Sequence, residues 1–216
     1  MDTQIVRNFL TSDEVKFLLS YYDSKPYTAE NIREYQGRKI INNRHKNSEY
    51  DLTTSPVHQL IYPKLKEIIG MHQLDAGSLV ESHFPFQIHL DTHKTFEDKH
   101  FYQHTEAQKC LDIAVLISLN EDPSFKTVMF DYYADAIDLK QIPSNGNMNT
   151  QTSVERSEVN LDHFTNQQLE FIQNLKISRV YNWSAGSVIV WPRRQLHCSS
   201  NFYPSGNQKK AIVLFL

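Results

Sequence analysis

The chain has 216 residues, 40% of them hydrophobic, and a formal charge of −3. That is enough apolar material for one sizeable core, so a single domain over residues 1–216 is expected. The charge offers no basic surplus for duplex nucleic acid, Cys110 and Cys198 form no disulfide framework, and no run approaches the ~18 apolar residues of a membrane span. Without a basic start or an apolar signal core at the N-terminus, a cytoplasmic protein is the expectation.

Residues 5–10 read as a short strand or lead-in. Thr11-Ser-Asp-Glu14 is a capping box, in which Thr11 caps the first turn and Glu14 reaches back to the cap amide. Val15, Leu18, Leu19 and Tyr22 follow at helical spacing, which predicts a helix to about Ser24. Residues 25–50 are polar, with Gly37 and a basic stretch from Arg38 to Lys46. A second helix is predicted from Ser55, with Pro56 at its first position, an apolar stripe of Leu60, Ile61, Leu65, Ile68 and Ile69, and Gly70 closing it. Residues 1–75 thus read as an N-terminal helical support.

The texture changes from residue 76. Short segments rich in β-branched and aromatic residues recur at 79–90, 113–119, 126–132, 178–183, 187–191 and 210–216, and predict strands. Two insertions interrupt them, over 92–110 and 133–165, and residues 165–175 read as one more helix. Helices followed by a run of strands point to a mainly β sandwich or barrel with flanking helices.

The chemistry concentrates in Phe84-Pro-Phe-Gln-Ile-His-Leu-Asp-Thr-His93. Residues two apart on a strand face the same way, so His89 and Asp91 can aim an imidazole and a carboxylate at one point. Two histidines and one carboxylate on one face of a metal form the facial triad of non-haem Fe(II) oxygenases. The motif alone is weak, because ten histidines and 25 acidic residues in 216 positions produce roughly one H-x-[DE] by chance. His104-Thr-Glu106 also matches, but in a polar stretch where a solvated histidine is the plainer reading. Further on, Ala185-Gly186 turns into an apolar segment, a polar segment leads to His197, and a Pro204/Gly206 turn precedes the final strand.

This arrangement resembles the C-terminal half of the Fe(II)/2-oxoglutarate-dependent oxygenase core, closest to phytanoyl-CoA dioxygenase-like and prolyl-hydroxylase-like members. The resemblance covers residues 79–216, and Asn8-Phe-Leu-Thr-Ser-Asp-Glu-Val15 also resembles the usual lead-in helix. It implies a double-stranded β-helix, a cupin-like jelly roll. It implies His89, Asp91 and His197 as catalytic iron ligands, with His197 lying 108 residues after His89. It implies a basic anchor for the far carboxylate of 2-oxoglutarate at Lys209 or Lys210, and Ser199 as a helper to that anchor. Lys209 shares a strand face with Ala211, Val213 and Phe215, and Lys210 with Ile212, Leu214 and Leu216. Both faces are apolar, so periodicity leaves the choice open, and the family spacing favours Lys209. Many relatives use arginine at the anchor, whereas lysine is a point charge that cannot clamp a carboxylate bidentately. Leu90 inside the motif departs from the glutamine of many phytanoyl-CoA dioxygenase-like enzymes.

The implied activity takes Fe(II), 2-oxoglutarate and O2, hydroxylates a C–H bond and releases succinate and CO2. A small molecule or amino acid is the expected substrate and a prolyl-type peptide the alternative. A metal- or ligand-binding cupin without turnover, or a structural jelly roll, are the non-catalytic readings. Residues 92–110 are the expected lid. Arg44 is a candidate substrate contact weighed against a solvated surface arginine. Arg193 and Arg194 are weighed between the pocket mouth and salt bridging. His93 and His100 read as loop residues, Trp183 and Trp191 as core, and Cys198 as a small buried hydrophobe.

Overall fold

The computed structural model describes residues 2–47, 49–70, 74, 76–86, 91, 113–133 and 177–216. A short strand β1 (Gln4–Val6) leads into α1 (Ser12–Asp23). The capping box forms as predicted. The Thr11 hydroxyl accepts from the Glu14 amide at 3.3 Å, and the Glu14 carboxylate accepts from the Thr11 amide at 2.7 Å. Val15, Leu18 and Tyr22 make the buried stripe of α1.

The polar stretch that follows is not loop alone. It folds into a hairpin of β2 (Ala29–Tyr35) and β3 (Arg38–Asn47). The hairpin turns on Gln36 and Gly37, both left-handed at φ 51° and 72°. A two-residue turn with both φ positive matches the twist of the strands it joins. Its usual marker is Asn-Gly or Asp-Gly, and glutamine in that place hid it. After a short helix α2 (Glu49–Thr54), α3 (Pro56–Ile69) begins where Ser55 accepts from the Val57 amide at 3.1 Å, and it buries Val57, Ile61 and Leu65.

The remaining strands are β4 (Ala76–Ser82), β5 (Ile113–Ser118), β6 (Lys126–Tyr133), β7 (Ile177–Asn182), β8 (Val188–Pro192), β9 (Gln195–Ser199) and β10 (Lys209–Phe215). The strand expected over 79–90 starts earlier and ends at Ser82. β9 falls where a polar segment was expected, because its five residues, Gln195, His197 and Ser199 included, are all buried. The expected lid over 92–110, the helix over 165–175 and the motif at His104 and Glu106 lie outside the described residues.

A seven-stranded sheet runs β1-β8-β5-β10-β4-β3-β2 and a three-stranded sheet runs β7-β6-β9. The described pairings are antiparallel. Residues before position 75 therefore give three strands to the large sheet, besides the helices. The central strands β8, β5 and β10 are buried on both faces, whereas β2 at the edge is largely exposed. Ile113, Val115, Ile117, Ile212 and Leu214 pack with α1 and α3. On the other face Ala114, Ile189, Trp191 and Ala211 pack with Met129 of β6 and with Tyr181 and Trp183. Among the described residues no helix is long and apolar enough to cross a membrane.

Candidate active site

Between the two sheets lies a cavity of about 180 Å³. An apolar cavity of ~150 Å³ holds a benzene ring, so this one suits a small organic acid. The large sheet supplies Lys209, Ala211, Val213 and Phe215 from β10, with Ser78, Val80 and Ser82 from β4. The small sheet supplies His197 and Ser199, and Asp91 completes that side.

Asp91 Oδ2 and His197 Nε2 stand 3.6 Å apart, and both side chains are nearly buried. The separation exceeds a hydrogen bond. It is within reach of two ligands on one metal, each of which sits ~2.0–2.2 Å from the ion. His197 Nδ1 is 3.0 Å from the Gln195 carbonyl oxygen, which can only accept. Nδ1 therefore donates to that carbonyl, and Nε2 is the ring nitrogen turned toward Asp91. Trp191 packs edge-on against the imidazole, centroids 5.1 Å apart, and fixes the ring plane. An imidazole nitrogen beside a carboxylate is a donor set that suits a divalent first-row metal, so these two residues fit the iron that the resemblance implies.

The backbone at Asp91 is clamped. Its amide donates to the Arg193 carbonyl at 3.2 Å, and Arg193 Nη2 donates to the Asp91 carbonyl at 3.2 Å. Phe86 accepts from the Ser199 amide at 3.1 Å. The chain on both sides of residues 87–90 is thus tied beside the ends of β9. His89 itself lies outside the described residues. Arg193 holds Asp91 rather than facing solvent, while Arg194 is exposed.

Strand alternation, once the sheet is known, separates the two lysines. Lys209 is 2% exposed and lines the cavity. Lys210 points to the helix side, 3.5 Å from Asp23 at the end of α1. Lys209 Nζ donates to the Lys126 carbonyl at 2.7 Å and sits 4.7 Å from the Trp183 ring and 4.8 Å from that of Phe202. Burial pushes its pKa down to about 7, and pushes the Cys198 thiol up, so Cys198 is a neutral, unreactive thiol. Ser199 is buried in the cavity wall opposite Thr127 in the β6–β9 register.

The sequence reading missed several wall residues. Thr127 lines the cavity and accepts from Trp183 Nε1 at 2.9 Å, leaving its own hydroxyl proton for another acceptor. His45 also lines it, with Nδ1 3.2 Å from Ser78 Oγ. Arg44, the residue weighed as a substrate contact, turns to the other face of β3, where it pairs with Glu30 at 2.7 Å and lies over Tyr27. Recognising β3 as a strand would have moved attention one residue on, to His45. Phe125 and Phe202 flank Lys209 from outside the strands, where periodicity carries no signal.

No protein-family model and no curated protein sequence matches the chain. Solved structures do. A 2OG-Fe(II) oxygenase family oxidoreductase from Burkholderia pseudomallei is 10% identical over 99% of this chain and 84% of its own, at a TM-score of 0.53. HygX from Streptomyces hygroscopicus, with nickel and 2-oxoglutarate bound, is 11% identical over 98% and 81%, at 0.54; it also has a structure with hygromycin B. The α-ketoglutarate-dependent epimerase SnoN from nogalamycin biosynthesis is 10% identical over 98% and 76%, at 0.52. The fold of this chain, two antiparallel sheets flanked by helices around a shared cavity, is the fold of the 2OG-Fe(II) oxygenases.

Proposed function

We propose that the chain is an Fe(II)- and 2-oxoglutarate-dependent oxygenase that hydroxylates a C–H bond of a small molecule or amino acid, releasing succinate and CO2. One observation carries the reading: a carboxylate and an oriented imidazole, both nearly buried, converge in the same cavity that holds a caged lysine. In this reading His89, Asp91 and His197 hold the iron, and Lys209 pairs with the far carboxylate of 2-oxoglutarate. Ser199 and Thr127 offer hydroxyls to the same carboxylate. Iron and 2-oxoglutarate, when bound, supply O2 activation and the oxidising equivalents. The chain's own part is to orient and to exclude water. Gln195 fixes the imidazole tautomer, Arg193 fixes Asp91, and the aromatic wall keeps the site dry so that charges act strongly there. The nickel and 2-oxoglutarate bound by HygX support the co-substrate, and its hygromycin B supports a small-molecule substrate. SnoN, an epimerase, sets hydroxylation as the part of the reading that product analysis must decide.

The test is an anaerobic titration of metal-free protein with Fe(II) and 2-oxoglutarate, followed by visible absorption. A weak charge-transfer band that needs both additions is expected. His197→Ala should abolish it. Lys209→Ala should keep the band but weaken 2-oxoglutarate binding about 10- to 150-fold, the equivalent of losing one charge-assisted contact of ~1.5–3 kcal/mol. Folded protein that gives no band would overturn the proposal in favour of a cupin-like binder without turnover.

A further inference from the structure

Lys209 is 2% exposed, so an ammonium there has lost nearly all of its hydration. Among the described residues Nζ has one oxygen partner, the Lys126 carbonyl at 2.7 Å. Otherwise it faces the rings of Trp183, Phe202 and Phe125 at 4.7, 4.8 and 5.8 Å. Among the described residues no carboxylate pairs with it. Among the described residues the titratable groups around it are few. Cys198 on β9 is kept neutral by burial. Across the same cavity stand His45 of β3, His197 of β9 and Asp91, whose carboxylate lies 3.6 Å from His197. From β6 Lys126 gives a carbonyl, and from β4 the residue opposite Lys209 is Ser82. One carbonyl and aromatic faces replace only part of the hydration that a buried ammonium loses. A lysine so placed sheds its proton readily.

We propose that Lys209 stands as a neutral amine in the empty cavity and takes up one proton when a dicarboxylate co-substrate binds, so that pH sets co-substrate affinity. The inference rests on the reading of Lys209 as the anchor. The step balances simply: the amine lone pair accepts a proton from solvent, and the new ammonium pairs with the entering carboxylate. No bond to carbon changes and no electron moves. Burial lowers the pKa to about 7 before the co-substrate binds, and the arriving carboxylate raises it. Below about 7 the lysine is already charged and binding takes up little. Above it, binding must import a proton, and affinity falls as pH rises, by up to tenfold per pH unit for a single proton.

The experiment is calorimetry of 2-oxoglutarate binding to anaerobic Fe(II)-loaded protein, at pH 6.0 and 8.5, in pairs of buffers with different ionisation enthalpies. The expected result is an uptake approaching one proton per 2-oxoglutarate at the higher pH and near zero at the lower. A second probe, 2-oxobutanoate, has the same metal-binding end but no far carboxylate, and should take up no proton at either pH. Lys209→Arg, charged throughout, should bind 2-oxoglutarate without uptake. Binding with equal proton counts at both pH values, or equal counts for the two acids, would overturn the inference and leave the oxygenase reading standing. Absence of any 2-oxoglutarate binding would instead overturn the oxygenase reading itself. The wild-type measurements decide the matter even if the arginine variant fails to fold.

Discussion

At the scale of single residues, the proposed metal ligands are held by groups that are not themselves proposed ligands. A backbone carbonyl two residues before His197 sets which ring nitrogen carries the proton. Arg193 grips the Asp91 main chain through its own carbonyl and its guanidinium. Partners of this kind orient ligands, and losing one weakens metal binding ~10–100-fold in characterised sites. Arg193→Ala should therefore lower Ni(II) or Fe(II) affinity by that order, read by direct metal titration, with far-UV circular dichroism unchanged. Lys209 makes a separate prediction about stability. Its folded pKa of about 7 lies below the usual lysine value of 10.5. Between those values the unfolded chain binds more protons than the folded one, so the empty protein gains stability from this group as pH rises from about 7 toward 10.5. Lys209→Met should remove that gain. Denaturant midpoints of the two proteins, compared from pH 6 to pH 9.5, should converge on the variant's side at high pH. A constant difference would show that the lysine does not titrate in that window.

At the scale of elements, two glycines do different jobs. Gly37 closes the β2–β3 hairpin at φ 72° with open space around it. Gly186 has φ 79°, and a Cβ there would lie 2.5 Å from the Leu10 carbonyl oxygen. Its own carbonyl accepts from the Leu10 amide at 2.8 Å, and its amide donates to Ser118 at 2.8 Å, so it joins the lead-in of α1 to the sheet. Gly37→Ala should cost about 1 kcal/mol, the left-handed penalty alone. Gly186→Ala should cost about 3 kcal/mol or more, because backbone must move as well. Urea unfolding of both variants compares them directly, and equal losses would show that the Leu10 contact yields freely.

At the scale of the whole molecule, the large sheet divides the interior into two layers. Leu18 and Ile61 belong to the helix side, whereas the cavity belongs to the space between the sheets. Leu18→Ala should destabilise the fold by ~2–5 kcal/mol, as truncation in a packed core does. It should leave 2-oxoglutarate affinity within about twofold, since sites that share no partners act additively. Binding that weakened in step with stability would show that the two layers are coupled.

The amino-acid sequence by itself determined the parts whose signals are local. The Thr11 box and the Ser55-Pro56 start placed α1 and α3, and runs of β-branched residues placed β5, β6, β7, β8 and β10. The His-x-Asp pair and the distant histidine named the candidate ligands by type and order. What only the tertiary structure decided is whatever depends on which face of a strand is inside. β10 is apolar on both faces because helices cover one and the second sheet the other, so no period could separate Lys209 from Lys210. Arg44 and His45 likewise swap prominence only once β3 is seen as a strand. β9 reads as a polar segment because its polar residues are buried between the sheets, where Gln195 bonds Phe130 of β6 and Ser178 of β7 and His197 bonds the Gln195 carbonyl. Local preference follows the chain, whereas burial and pairing follow contacts between residues far apart in it, and those contacts exist only in the folded sheets.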